Sequence, residues 1–135
     1  MKCVTIIADD KVGLLADMSY ILSKARINIE SITVDVVAGK AIISTCLSDA
    51  DKGKVVLMEA GYTVEEMNAV VIKLPDEPGQ LNKITTLLSK EGIAIKNVHT
   101  LSKDNNMTAL SIIVDKPKRA STLLKEFLIT KDSSY

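Results

Sequence analysis

Two short segments carry an acidic residue three positions before a glycine that opens a run of helical period. They are Asp10-Lys11-Val12-Gly13-Leu14-Leu15 and Asp76-Glu77-Pro78-Gly79-Gln80-Leu81. A glycine at such a place lets backbone approach a ligand closely, and the first N–H groups of the helix behind it have no partners of their own. An end of this kind favours a carboxylate or a phosphate. A plainer alternative stands beside it: the glycine makes the turn and the aspartate caps the helix.

The remaining reactive side chains point to no catalysis. His99 is the only histidine and falls on an apolar run that reads as a strand, so it is expected to be a surface or sheet residue. Ser23 and Ser89 fall late in helical stretches with no base nearby in sequence, and no P-loop, Gly-x-Gly-x-x-Gly, Cys-x-x-Cys or His-Glu-x-x-His pattern occurs. The two cysteines, Cys3 and Cys46, are far apart and match no metal-ligand spacing, so buried free thiols on strands are expected. The basic cluster Lys116-Pro117-Lys118-Arg119 reads as a solvated helix start. No catalytic residue, metal or cofactor is expected.

Composition narrows the class further. The 135 residues hold 17 Lys+Arg and 17 Asp+Glu, with 47% apolar residues. That excludes a disordered chain. A neutral balance also argues against nucleic acid as a main partner, since phosphate binding leaves a basic excess. No stretch reaches the roughly 18–20 apolar residues that span a bilayer, and acidic residues cut short the apolar N-terminal run. The expected setting is the cytoplasm, with no membrane contact.

The elements that position the two loops emerge from an internal repeat. A shift of 66 residues lays the chain on itself without a gap. Asp10 then falls on Asp76, Gly13 on Gly79, Leu22-Ser23-Lys24 on Leu88-Ser89-Lys90, Ile27 on Ile93, Thr45 on Ser111 and Asp49 on Asp115. Two copies of one unit are expected, over 1–66 and 67–135, meeting near Glu66–Asn68.

Each copy reads alike. Cys3–Ala8 and Ala69–Leu74 are strands rich in Val and Ile. Leu14, Met18, Ile21, Leu22 and Ala25 form the apolar stripe of a helix, echoed by Leu81, Ile84, Leu87 and Leu88. Hairpins follow, Asn28–Val37 with Ala41–Leu47 and Ile95–Leu101 with Met107–Val114. A second helix covers about Asp51–Ala60, with a copy after Pro117. A last strand lies near Tyr62–Val64 and is weak at Leu128-Ile129-Thr130 before the polar tail Lys131–Tyr135. The order βαββαβ, twice, predicts an α+β fold: tandem ferredoxin-like units with antiparallel sheets ordered 4-1-3-2 and helices on one face. The central strands lack the aromatic rings that RNA-binding versions of this fold use for stacking.

With the elements in place, Asp10-Lys11-Val12-Gly13-Leu14-Leu15-Ala16 through Ile27-Asn28-Ile29 resembles the core motif of the ACT-domain family, and Asp76–Leu81 through Gly92-Ile93-Ala94-Ile95 resembles it again. The resemblance implies a regulatory, allosteric protein rather than an enzyme. It implies units paired side by side, in places as one eight-stranded sheet, and assembly into a homodimer. It implies an amino acid held between the glycine loop of one unit and an Asn opening the second strand of another. Asp10, Lys11, Val12, Gly13, Leu14 and Asn28 carry this pattern in the first copy. Asp76, Glu77, Pro78, Gly79, Gln80 and Leu81 carry it in the second, where Ala94 stands in place of the Asn. The fuller expected site therefore combines Asp76–Leu81 with Asn28: loop N–H groups take the ligand carboxylate, and Asp76 or Asn28 takes its ammonium. The alternative is a subunit that docks on a metabolic enzyme and binds no ligand itself.

Overall fold

A computed structural model describes residues 2–65 and 68–129. Glu66 and Met67, at the expected join, and Thr130 with the polar tail Lys131–Tyr135 lie outside the described residues. The chain divides into two compact units, one ending at Met67 and one beginning at Asn68.

The first unit runs β1 (Cys3–Asp9), α1 (Leu14–Lys24), β2 (Ile29–Val37), β3 (Lys40–Leu47), α2 (Ala50–Glu59) and β4 (Thr63–Val64). Its antiparallel sheet has the order β2-β3-β1-β4, as the sequence predicts. Val4 and Ile6 of β1 and Ala41 and Ile43 of β3 meet Leu14, Met18 and Leu22 of α1 and Leu57 of α2 in one buried cluster. Both helices therefore cover the same sheet face. The Asp49 carboxylate accepts from the Lys52 N–H at 3.1 Å and caps α2. Ala38 (φ 52°) and Gly39 (φ 79°) form a two-residue hairpin turn with both φ values positive.

The second unit runs β5 (Val70–Pro75), α3 (Gln80–Lys90), β6 (Ile95–Lys103), β7 (Met107–Val114) and α4 (Pro117–Leu123). Its sheet is three-stranded, ordered β5-β7-β6. The expected last strand shrinks to a single bridge, Ile72 to Leu128, flanked by Lys73 N–H to Phe127 O and Ile129 N–H to Val71 O. Ile84 and Leu88 of α3 join Val70, Ile72, Leu110, Ile112 and Leu124 in the core. Leu81, expected in that stripe, is 43% exposed.

Two expectations are corrected. The repeat is not gapless. Asp9 pairs with Lys40, but Pro75 pairs with Met107, one residue further on than a shift of 66 allows. The extra residue is Leu101, at the bulge of β6 between Thr100, which pairs with Leu110, and Ser102, which pairs with Ala109. The turn beyond keeps two central residues, Asn105 and Asn106, and there the Asp104 carboxylate accepts from the Asn106 and Met107 N–H groups. These two donors, Met107 first, hold the Asp104 carboxyl below the usual carboxylate range. Thr45 therefore corresponds to Ile112, not Ser111, and Asp115 corresponds to Ser48, not Asp49. The bonding agrees: Ser48 Oγ accepts from Asn28 N–H, and Asp115 Oδ1 accepts from Ala94 N–H, both at 2.9 Å.

Cys3 and Cys46 are also not free thiols. The antiparallel register of β1 with β3 sets them directly opposite, 3.9 Å apart at Cα, and they form a disulfide. Residues separated by 43 positions become cross-strand neighbours once the sheet order places β3 beside β1.

Candidate functional site

The two glycine loops have the same backbone. Gly13 (φ 88°) and Gly79 (φ 87°) are the N-caps of α1 and α3, both left-handed, and no side chain caps either helix. Asp10 and Asp76 thus do not cap, contrary to the plainer sequence reading. Gly13 O accepts from Asp17 N–H at 2.9 Å and Gly79 O from Lys83 N–H at 3.1 Å, so both helices start in the same way. Leu14 N–H donates to Lys11 O at 3.3 Å and Gln80 N–H to Glu77 O at 3.4 Å; the next N–H groups of the first turn have no intrahelical acceptor and can meet an anion.

The loop acids differ in their surroundings. In the first unit Lys40 Nζ donates to Asp9 Oδ1 at 2.5 Å. The lysine holds the Asp9 carboxyl below its ordinary range, by hydrogen bond first and by charge second. Asp10 is exposed beside this pair, with its N–H donated to Gly39 O at 3.3 Å. In the second unit the Asp76 carboxylate itself is engaged. It accepts from Thr108 Oγ1 at 3.4 Å, and Lys103 Nζ lies 3.6 Å away. Glu77 accepts from Gln80 Nε2 at 3.4 Å within the same loop.

Two clefts open on the first unit. One, of about 350 Å³, is lined by Asp10, Lys11, Gly13 and Leu14, with Leu15, Ala16, Val34 and Ala41. The other, of about 320 Å³, is lined by Ser19, Ser23, Arg26, Ile27, Asn28 and Ile29. Helix α1 separates them. Its 11 residues span about 16 Å at 1.5 Å per residue, with Gly13 at the start and Arg26 and Asn28 beyond the end. Within one unit, then, Asn28 and the glycine loop are not brought together. Val12 is fully exposed and lines neither cleft.

Sequence reasoning missed Val34 and Ala41, which enter the first cleft through the pairing of β2 with β3. It also missed Ser19, Ser23 and Arg26 as lining residues of the second. The i, i+4 spacing of Ser19 and Ser23 on the polar side of α1 was the available signal. Strand β2 is a sheet edge, and Ile32, Val34 and Val36 stand 40%, 43% and 49% exposed along it. Among the described residues no group of three His, Cys, Asp or Glu side chains could hold a metal ion, and no helix is long and apolar enough to cross a membrane.

Two consecutive ferredoxin-like units, each with a glycine-bent loop at its first helix, define a tandem ACT-type architecture. The family model for the ACT domain pair matches residues 1–134, and the chain belongs to that family. Similar solved structures include a protein of Bacteroides thetaiotaomicron, 28% identical, covering 93% of this chain and 86% of that one at a TM-score of 0.48. They also include the regulatory subunit of aspartate kinase from Thermus thermophilus (13% identity, 92% and 90% coverage, TM-score 0.42). A third is the small subunit of acetolactate synthase from Thermotoga maritima (16% identity, 96% and 89% coverage, TM-score 0.38). No curated protein matches the chain.

Proposed function

We propose that this chain is a non-catalytic regulatory protein of the cytoplasm that binds an amino acid, or a metabolite like one, and passes the signal to a metabolic enzyme. The observation that carries the reading is the open helix start at Gly13, uncapped by any side chain and facing a cleft of about 350 Å³ beside an exposed Asp10. First-turn N–H groups there suit a carboxylate, and the neighbouring aspartate suits an ammonium. The second loop, Asp76–Leu81, repeats the backbone, and Asn28 contributes a side-chain amide that can both donate and accept. Lys11, Val12, Leu14, Glu77, Pro78, Gln80 and Leu81 supply backbone and walls. In this reading the pocket is completed by the matching half of another ACT unit, and the chain works as a homodimer.

Thermal denaturation with each of the twenty amino acids tests the proposal. A ligand that binds only the folded protein raises its melting temperature, by mass action, as its concentration passes Kd. Asn28→Ala and Gly13→Ala are expected to lose that shift. Melting curves that no amino acid moves would sink the reading.

The exposed row Ile32, Val34 and Val36 favours a second reading, in which the β2 edge docks on an enzyme and no ligand binds. Replacing Val36, which lines neither cleft, by Lys separates the two. It would abolish docking outright in the second reading, yet leave ligand-induced shifts measurable in the first.

A further inference from the structure

We infer that the cleft at the exit of α1 selects an acidic ligand, with the Arg26 guanidinium receiving a side-chain carboxylate; this rests on the amino-acid-binding reading above. The two units leave their first helices by the same route. Arg26 N–H bonds Ser23 O at 2.9 Å and Ile27 N–H bonds Leu22 O at 2.9 Å, while Gly92 N–H bonds Ser89 O and Ile93 N–H bonds Leu88 O, both at 3.0 Å. This exit demands a left-handed residue. Gly92 (φ 71°) meets the demand freely, but the first unit holds Arg26 there at φ 61°. Sterics do not explain the difference, because a Cβ at Gly92 would meet nothing within 4 Å.

Helix capping does not explain the arginine either. Lys52 Nζ already donates to Ala25 O at 2.9 Å, and Lys24 already lies in the last turn. In the second unit Arg119 is paired with Glu91 at 2.6 Å, whereas Arg26 has no ion-pair partner among the described residues. Its guanidinium borders a cleft of about 320 Å³ whose other polar groups are Ser19, Ser23 and Asn28. Ser19 Oγ donates to Leu15 O at 2.7 Å, so toward a ligand it can only accept. The donors left for an anion are Arg26, Ser23 and Asn28. The same positions in the second unit are Gly92, Ser89 and Ala94, so the two copies differ where the charge would be read.

A planar fork of N–H donors matches a carboxylate in a bidentate way, which an amide in the ligand cannot reproduce. The glycine loop and Arg26 stand at opposite ends of α1, so in the reading above the α-carboxylate goes to the helix-start N–H groups of a second copy of the chain, which completes the pocket. Arg26 is then left for a second carboxylate, and the ligand is an amino acid with an acidic side chain.

Calorimetric titration of the full chain with L-aspartate, L-glutamate, L-asparagine and L-glutamine tests this. The acids are expected to bind about ten- to a hundredfold more tightly than their amides, the range of a charge-assisted contact. Arg26→Gln should remove that preference while leaving the amides unchanged. Arg26→Gly, which copies the exit of the second unit, should do the same, and circular dichroism checks that both variants fold. Equal binding of acid and amide by the native chain overturns the inference and leaves amino-acid binding standing. So does a loss of affinity in Arg26→Gln that is the same for all four ligands, which would place the α-carboxylate on Arg26. If none of the twenty amino acids binds, the parent reading fails and takes the inference with it.

Discussion

Replacing Arg26 by glycine should stabilise the protein. An L-residue in the left-handed region costs roughly 1–2 kcal/mol through the approach of Cβ to its own carbonyl. Arg26 sits there at φ 61°, fixed by the bonds from its N–H to Ser23 O and from Ile27 N–H to Leu22 O. Glycine removes the contact but enters folding from a freer unfolded chain, which offsets about 0.5–1 kcal/mol. The balance is a gain of about 0.5–1 kcal/mol. Gly92→Ala provides the mirror experiment. Its new methyl meets open space, so backbone strain is the only added cost, and a loss of about 0.5–1 kcal/mol is expected. Urea denaturation reads both as opposite shifts in midpoint with unchanged slope. If the units unfold in separate steps, each variant should move its own transition. A destabilised Arg26→Gly, or a Gly92→Ala as stable as the parent, would refute the strain account. With the acidic-ligand inference the first variant becomes a trade: a firmer fold and a weaker grip on acidic ligands.

Three further outcomes are expected. Tyr62 donates to the Asp17 carboxylate, and burial first, then this bond and the charge of Asp17, push its phenol up to about 12. Its contribution to stability is therefore complete below the ordinary phenol value of about 10 and is lost as pH rises towards 12; Asp17→Asn should bring the late phenolate absorbance step down, and an unmoved step would refute the pairing. Asp104 is the opposite case, a carboxyl held low by the Met107 and Asn106 N–H groups, so its contribution is present at neutral pH and is lost as pH falls through its depressed value. Asp104→Ala should flatten the acid limb of stability against pH, and an unchanged limb would count against the turn. Reducing Cys3–Cys46, which closes a loop of 43 positions, should lower stability by about 2–4 kcal/mol, and superimposable denaturation curves with and without reductant would refute the crosslink.

The sequence shows the topology because the signals that set it are local. Glycine after an acidic loop, a 3.6-residue stripe and a turn between apolar runs appear twice. What escaped is register. Ala109, Leu110, Ser111 and Ile112 are all buried, so β7 has no inside–outside alternation to pin its phase. One extra residue, bulged out of β6 at Leu101, can then slide through the alignment unnoticed, and false partners such as Thr45 with Ser111 look sound. The Cys3–Cys46 pairing was hidden for a related reason. The turn at Ala38-Gly39 fixes β2 against β3, but no hairpin joins β1 to β3 to reveal which residues face each other. The loop residues of the candidate site were legible because glycine at positive φ leaves a trace in the sequence. Arg26 left none, since an arginine after a helix reads as an ordinary cation at a helix end.

The pattern of difference between the copies is itself informative. Leu57 and Leu124, both fully buried, fill the same place beneath the second helix of each unit, and Gly13 and Gly79 make the same bend. Such positions are held by packing and backbone geometry, which a second copy cannot relax without losing its fold. The divergent pairs are Arg26 with Gly92, Asn28 with Ala94, and the free Asp10 with the engaged Asp76. None of them touches the core; all lie on the loop or at the helix exit. Charge also reverses elsewhere on the surface, Lys11 with Glu77, Asp17 with Lys83 and Glu30 with Lys96, in loop, helix and edge strand. The two copies therefore share what the core and the backbone bends demand, and the positions that solvent covers are the ones free to differ.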